Sequence, residues 1–147
     1  MPFVLDASIA ACWAFEDEDH PVAAVALERV RTDAAVVPSI WWFEVRNTLI
    51  VNERRGRITE ADTAAFLLGL TRLGVMVDRA PEEAAVLALA RTHRLTVYDA
   101  SYLELAQREA LPLATLDQPL RAAALAAGTS LVGAPRIAGF SSSMMSP

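Results

Sequence analysis

Short apolar runs alternate with longer stretches of helical periodicity along this chain, and three of the runs stop at an aspartate. They are PFVL before Asp6, LTVY before Asp99 and LATL before Asp117. Strands that alternate with helices are joined by crossovers, so they pair in parallel, and a parallel sheet is covered on both faces. The expected fold class is α/β, a three-layer α/β/α sandwich. A chain of 147 residues has room for one such core.

Residues 2–5 read as the first strand. A helix is expected from about Ser8, then an acidic loop over 16–19, then an Ala/Val-rich helix ending near Arg31. Residues 35–37 read as a short strand, and Ser39 as the N-cap of a helix that stops at Gly56. Thr59-Glu60-Ala61-Asp62 has the form of a capping box. Residues 75–77 read as a third strand. Pro81-Glu82-Glu83 suits the start of another helix. The run before Asp99 fits either a strand or an extended connection, with Asp99 opening the next helix. Residues 113–116 read as a strand, Asp117 opens a helix ending at Gly128, and residues 130–132 read as a last short strand. The domain is expected over 1–138. Residues 139–147, GFSSSMMSP, lack periodicity and read as a flexible tail.

Four acids interrupt apolar surroundings: Asp6, Asp99, Asp117 and Glu44, the last inside WWFEV. A charge beside a buried segment is costly unless neutralised. All 13 basic side chains are Arg and none is Lys, so a divalent cation is the natural counter-charge. In open parallel sheets ligands bind beyond the carboxyl ends of the strands. Asp6 and Asp117 fall at such ends, and Asp99 at a helix start facing the same rim. Glu44 lies inside a helix, sharing a face with Asn47 and Thr48. Oxygen donors without His or Cys suit Mg²⁺ or Mn²⁺, one or two ions. Ser8 and Thr115, each two residues from a placed Asp, are suited to orient ligands by hydrogen bonds. The alternative is that each Asp merely caps its helix. Glu44 does not fit that alternative.

The other candidates are plainer. Residues 16–19 read as a solvated acidic turn, and His20 and His93 as surface residues without metal-ligand spacing. Cys12, the lone cysteine, reads as a small core residue. Trp41, Trp42 and Phe43 read mainly as packing, though a Trp near Glu44 could stack on a base. Arg54, Arg55 and Arg57 form a basic cluster at a helix end, a candidate phosphate contact, while Arg46 points elsewhere. Tyr102 shares a face with Asp99 and belongs either to the core or to the rim.

The formal charge of −5 disfavours nucleic acid at first sight. Setting the four placed acids aside leaves 14 acids against 13 Arg, so a polyanion approached through metal stays open. No apolar run reaches the roughly 18 residues that span a bilayer. The start of the chain has no signal-peptide pattern, and a cytoplasmic protein without membrane contact is expected.

The pieces VLDASIAACW, PSIWWFEVRNTL, YDASYLELA and ATLDQPLRAAA together resemble the PIN domain, and within it the VapC-type toxins of toxin–antitoxin pairs. Order and spacing agree up to about Val132. The resemblance implies a five-stranded parallel sheet and Asp6, Glu44, Asp99 and Asp117 around a Mg²⁺ or Mn²⁺ site. It implies endoribonuclease activity on tRNA or rRNA, a cognate antitoxin that blocks the site, and a homodimer. Thr115 matches the family's small hydroxyl before the last acid. Gln118 departs from the basic residue of many relatives, and Pro119 follows it.

Two rival classes share such a sheet. Haloacid-dehalogenase-type phosphatases and receiver domains also use an Asp at a strand end, but they typically hold the phosphoryl group with a Lys. This chain has none, and it has Asp6-Ala7-Ser8 where a phosphatase has D-x-D. A P-loop pattern is absent too. The third reading is an interaction module that keeps the fold without catalysis.

Overall fold

The computed structural model describes residues 1–133. The tail expected over 139–147 therefore lies outside the described residues, as does the end of the expected domain. The elements in order are β1 (Phe3–Leu5), α1 (Ala7–Cys12), α2 (Pro21–Val30), β2 (Ala35–Pro38), α3 (Ile40–Arg54) and α4 (Glu60–Thr71). They continue with β3 (Met76–Asp78), α5 (Glu83–His93), α6 (Val97–Arg108), β4 (Leu113–Ala114) and α7 (Gln118–Ala126).

The four strands form one parallel sheet in the order β3-β2-β1-β4. Phe3 pairs with Ala35, Val36 with Met76, and Val4 with Leu113. The chain thus builds outward from β1 to β3 and then returns to the other side of β1. That reversal between β1 and β4 is a topological switch point, where a crevice opens beyond the strand ends.

The fifth strand expected at 130–132 is not formed among the described residues. Only a single parallel bridge joins Leu113 to Leu131. Gly133, the last described residue, takes a φ of +76°, which suits glycine.

β1 is fully buried, as a central parallel strand must be. Its residues pack with Ile9, Val37, Leu49, Tyr102, Leu105 and Leu120 in one continuous core. Helix α6 packs across β2, β1 and β4, while α1 contacts α2 and α3. Cys12 is buried, as expected.

Helix ends follow local chemistry in most places. Thr59 and Asp62 form the reciprocal capping box. Glu82 caps α5 by accepting from the Ala85 N–H. Gly56, with φ +74°, takes the left-handed position after α3. Ser39 departs from expectation: its backbone is already helical and its side chain makes no capping bond. The LTVY run departs as well. It is neither strand nor extended, because Thr96 accepts the Asp99 N–H and starts α6 early enough to include Val97 and Tyr98.

Candidate functional site

Asp6 directly follows β1, and its N–H donates to the Ala114 carbonyl at the end of β4. The switch point therefore fixes Asp6 beside Thr115. The Asp6 side chain is buried and makes no capping bond to α1, so the cap alternative fails here. Its Oδ2 instead accepts from Ser8 Oγ at 2.7 Å and from Thr115 Oγ1 at 2.6 Å.

The direction of these bonds is set by the backbone. Ser8 Oγ accepts the Leu116 N–H and Thr115 Oγ1 accepts the Asp117 N–H, each at 3.0 Å. An N–H can only donate, so each hydroxyl accepts there and has its single proton free for the carboxylate oxygen of Asp6. Both bonds fall on one oxygen, leaving Oδ1 without a hydroxyl partner. Ser8 and Thr115 thus stand where a supporting role needs them.

Glu44 lies on α3 and is half-buried. Its Oε1 accepts from the Tyr102 hydroxyl at 2.6 Å. Tyr102 is fully buried, so the core and rim alternatives are both correct: its ring is core and its hydroxyl is at the site. Tyr102 follows Asp99 by one turn, but nothing in that spacing signals that the phenol crosses to α3. Asp99 sits in the first turn of α6 and is not its cap; Thr96 is. Asp117 does cap, since its Oδ2 accepts the Leu120 N–H at 2.9 Å. Pro119 fits that helix start because its missing N–H costs nothing there.

The acids sense one another. Burial pushes the Asp6 carboxyl above its ordinary pKa; the two hydroxyls oppose this, and the Asp117 charge adds to it. Glu44 is raised first by burial, against the Tyr102 bond, and then by the charges of Asp6, Asp99 and Asp117. Asp99 is raised by burial and then by Asp117 and Asp6. Four elements far apart in sequence thus bring their acids within electrostatic reach. Among the described residues none of the four is in a salt bridge with an Arg. The ion pairs that do form lie on other acids: Asp17, Glu18, Glu28, Asp33, Asp78, Glu104 and Glu109.

This donor set fits a hard divalent cation: oxygens only, partly desolvated, close enough for their charges to interact, and without a salt-bridge partner among the described residues. The fit is one of chemistry and placement. As the side chains stand, no three acidic, His or Cys groups close around one point among the described residues. Magnesium usually takes one or two carboxylates directly and keeps several waters, so a fully closed cage is not required.

The remaining candidates sort clearly. Asn47 is exposed and makes no side-chain hydrogen bond to the acids, so it has no supporting role in this arrangement. Arg57 is committed elsewhere. It donates to Asn52 Oδ1 at 2.8 Å, pairs with Asp17 at 3.1 Å and lies over the Phe15 ring. It therefore ties the acidic loop to the end of α3 and is not a free phosphate contact. Arg54 and Arg55 are exposed. Arg46 stacks on Trp42, with 4.0 Å between its guanidinium and the ring centre, pointing away from Glu44 as expected. Trp41 is buried, but Trp42 and Phe43 are exposed, which corrects their reading as packing. Sequence reasoning missed Arg121, whose guanidinium donates to the Thr115 carbonyl at 2.9 Å.

The profile of the PIN domain matches residues 3–125. The chain belongs to the PIN domain family. PIN domains are generally metal-dependent nucleases. The crystal structure of PAE2754 from Pyrobaculum aerophilum is similar to this PIN domain with a TM-score of 0.67 and 26% identity, covering 84% of this chain and 79% of that one. No curated protein matches the chain.

The Tyr102–Glu44 bond gives a test of the acid cluster. Tyr102→Phe keeps the ring in the core and removes only the hydroxyl. Metal affinity, read by Mn²⁺ titration, is expected to fall roughly 10-fold, at the lower end of effects for groups that orient ligands. Thermal stability should change little. An unchanged Mn²⁺ affinity would show that Glu44 needs no such support.

Proposed function

We propose that this PIN domain is a metal-dependent endoribonuclease and the toxin of a toxin–antitoxin pair. The observation that carries the nuclease reading is the group of four acids near the switch point, coupled through their charges and without an Arg salt bridge among the described residues. In this reading Asp6, Glu44, Asp99 and Asp117 hold one or two Mg²⁺ or Mn²⁺ ions at the edge of a three-layer sandwich. The contacting helices α1–α2–α3 and α5–α6–α7 with the sheet support that architecture.

When bound, the ion supplies Lewis acidity toward a phosphodiester and makes water a better nucleophile at neutral pH. The chain's own residues do the rest. Ser8 and Thr115 keep Asp6 in its acceptor state and hold one of its oxygens. Tyr102 holds one oxygen of Glu44, and the Leu120 N–H one oxygen of Asp117. Each bond restricts the carboxylate it touches. The four charges also repel a bare RNA phosphate, so substrate approach depends on their neutralisation.

The toxin role rests on the resemblance to VapC-type proteins over the four motifs. It implies an antitoxin that places a basic side chain among these acids, a counter-charge that no salt bridge among the described residues provides. RNA, with tRNA or rRNA as the class, is the substrate in this reading. A homodimer and a cytoplasmic location belong to the same proposal. Among the described residues no helix is long and apolar enough to cross a membrane. Exposed Met76 and Val77 on the edge strand β3 offer an apolar surface for self-association. The rival reading, a PIN-fold module without catalysis, is favoured by one observation: the acids do not close around a common point.

Incubation of the purified protein with RNA, with Mn²⁺ and then with EDTA, separates these readings. Internal cleavage that requires the metal is expected. Intact RNA under all conditions would favour the module. For the toxin role, induced expression is expected to arrest growth, and co-expression of the adjacent small gene to restore it. Unimpaired growth with abundant folded protein would remove the toxin assignment and leave the nuclease one standing.

A further inference from the structure

A groove of about 240 Å³ opens between the start of α3 and the start of α6. Its rim carries two exposed aromatic rings, Phe43 at 63% and Tyr98 at 58% exposure. Both rings directly precede site acids in sequence, Phe43 before Glu44 and Tyr98 before Asp99. Neighbours on a helix diverge by about 100°, so the groove adjoins the acid cluster without overlapping it. We propose that this groove holds an unpaired nucleobase of the RNA next to the cleaved bond.

The inference rests on the ribonuclease reading above and deepens it. Exposed aromatic rings are the usual stacking surfaces for unpaired bases. The polar side chains of the groove specify what else the ligand carries. Glu104 is buried at 3% exposure, and Arg108 pairs with it at 2.7 Å while also pairing with Asp78 at 2.7 Å. One Arg between two groove carboxylates leaves the polar end of the groove negative. Ser101 spends its proton on the Tyr98 carbonyl at 2.6 Å, so its oxygen remains as an acceptor. Ser39 makes no capping bond and its hydroxyl is available.

Such a groove repels phosphate and welcomes hydrogen-bond donors on a flat ring. Adenine, cytosine and guanine carry exocyclic amino groups; uracil does not. A base with an amino group is therefore the favoured occupant. A second copy of this chain is a poorer fit, because apolar side chains pressed into the groove would leave the Ser39 and Ser101 oxygens without a donor.

The test uses short single-stranded RNAs carrying 2-aminopurine at one position, mixed rapidly with the full chain and Mg²⁺. Fluorescence is expected to fall on binding, before cleavage, as the probe base stacks. Phe43→Ala and Tyr98→Ala should each weaken the association about tenfold, in line with the loss of one stacked base. Tyr98→Trp should keep the quenching. Cleavage by the wild type should favour sites flanked by amino-bearing bases over uracil, and the Ala variants should lose that preference with KM rising more than kcat falls.

If the wild type cleaves no RNA, the ribonuclease reading fails and this inference goes with it. If the wild type cleaves and both Ala variants bind and select RNA as it does, the groove assignment alone is overturned. A change in the solution mass of Phe43→Ala with unaltered RNA binding would also overturn it and assign the groove to self-association. Both rings are exposed, and circular dichroism of the two Ala variants confirms that each compared protein is folded.

Discussion

Asp6→Asn is expected to lower metal-dependent RNA cleavage by at least about 10²-fold, close to 3 kcal/mol of transition-state stabilisation, while the metal-free protein becomes more stable. The two effects have opposite signs because Asp6 serves the site at the expense of the fold. Its carboxylate is buried, and its folded pKa is raised first by that burial and then by the Asp117 charge. A raised carboxyl contributes stability that is fully present below its unfolded pKa of about 4 and is lost as pH rises through the folded value. The wild type therefore loses stability as pH rises above the ordinary carboxylate range, and the penalty grows as Asp6 ionises. Asparagine removes the charge while its carbonyl still accepts from Ser8 or Thr115.

Thermal unfolding in EDTA at several pH values checks this. Wild-type Tm should climb as pH falls from neutral toward the ordinary carboxylate range, and the Asp6→Asn variant should show a shallower climb. Added Mn²⁺ should raise wild-type Tm more as pH rises, because the ion binds deprotonated carboxylates, and should raise the variant less. Loss of stability in Asp6→Asn together with full nuclease activity would mark Asp6 as a structural residue and sink the assignment.

The second large effect lies away from the acids. Arg108→Ala is expected to destabilise the fold by roughly 2–3 kcal/mol, within the lower part of the range for breaking a buried ion pair. Arg108 binds both oxygens of Glu104, at 2.7 and 3.1 Å, and both oxygens of Asp78, at 3.2 and 2.7 Å. It thereby joins the end of α6 to the edge strand β3. Truncation leaves Glu104 buried without its counter-charge. Because Arg108 is itself 28% exposed, water replaces some of the lost bonds, which keeps the loss below the full range.

For a chain of this size the loss corresponds to a fall in Tm of roughly 6–12 °C. Combining Arg108→Ala with Glu104→Gln should recover about half of it, since the second change removes the stranded charge; the pair are in contact and should not be additive. A loss below about 0.5 kcal/mol would place the network with ordinary surface pairs.

Much of this architecture can be read from the residues alone, where local chemistry decides the outcome. The capping box at Thr59 and Asp62 and the apolar run of β1 are short-range signals, and each has its expected form; Pro81 instead precedes the Glu82 cap of α5 and stays outside the helix. The run before Asp99 is open to misreading because β-branched and aromatic residues favour strands, while the Thr96 cap decides for helix. The fifth strand expected at 130–132 is reduced to one bridge, Leu113 to Leu131, among the described residues.

The site shows the same division. The four acids stand out because charge in apolar surroundings is visible in any sequence. Their supports do not stand out. The Tyr102 hydroxyl on Glu44 joins residues 58 apart, and the Thr115 hydroxyl on Asp6 joins residues 109 apart. Proximity of Ser8 and Thr115 to placed acids hints at their roles, but only the switch point between β1 and β4 brings both onto one oxygen. Arg57 fails as an RNA contact because the acidic loop, distant in sequence, folds back onto it.

Everything proposed for this PIN domain depends on the four acids together binding the divalent ion that its chemistry needs. Calorimetric titration of Mn²⁺ at neutral pH into the wild type and into Asp6→Asn, Glu44→Gln, Asp99→Asn and Asp117→Asn decides this. Saturable binding of one or two ions by the wild type is expected, with at least about tenfold weaker binding by each variant. No binding by the wild type, or wild-type affinity in two or more of the variants, would contradict the assignment.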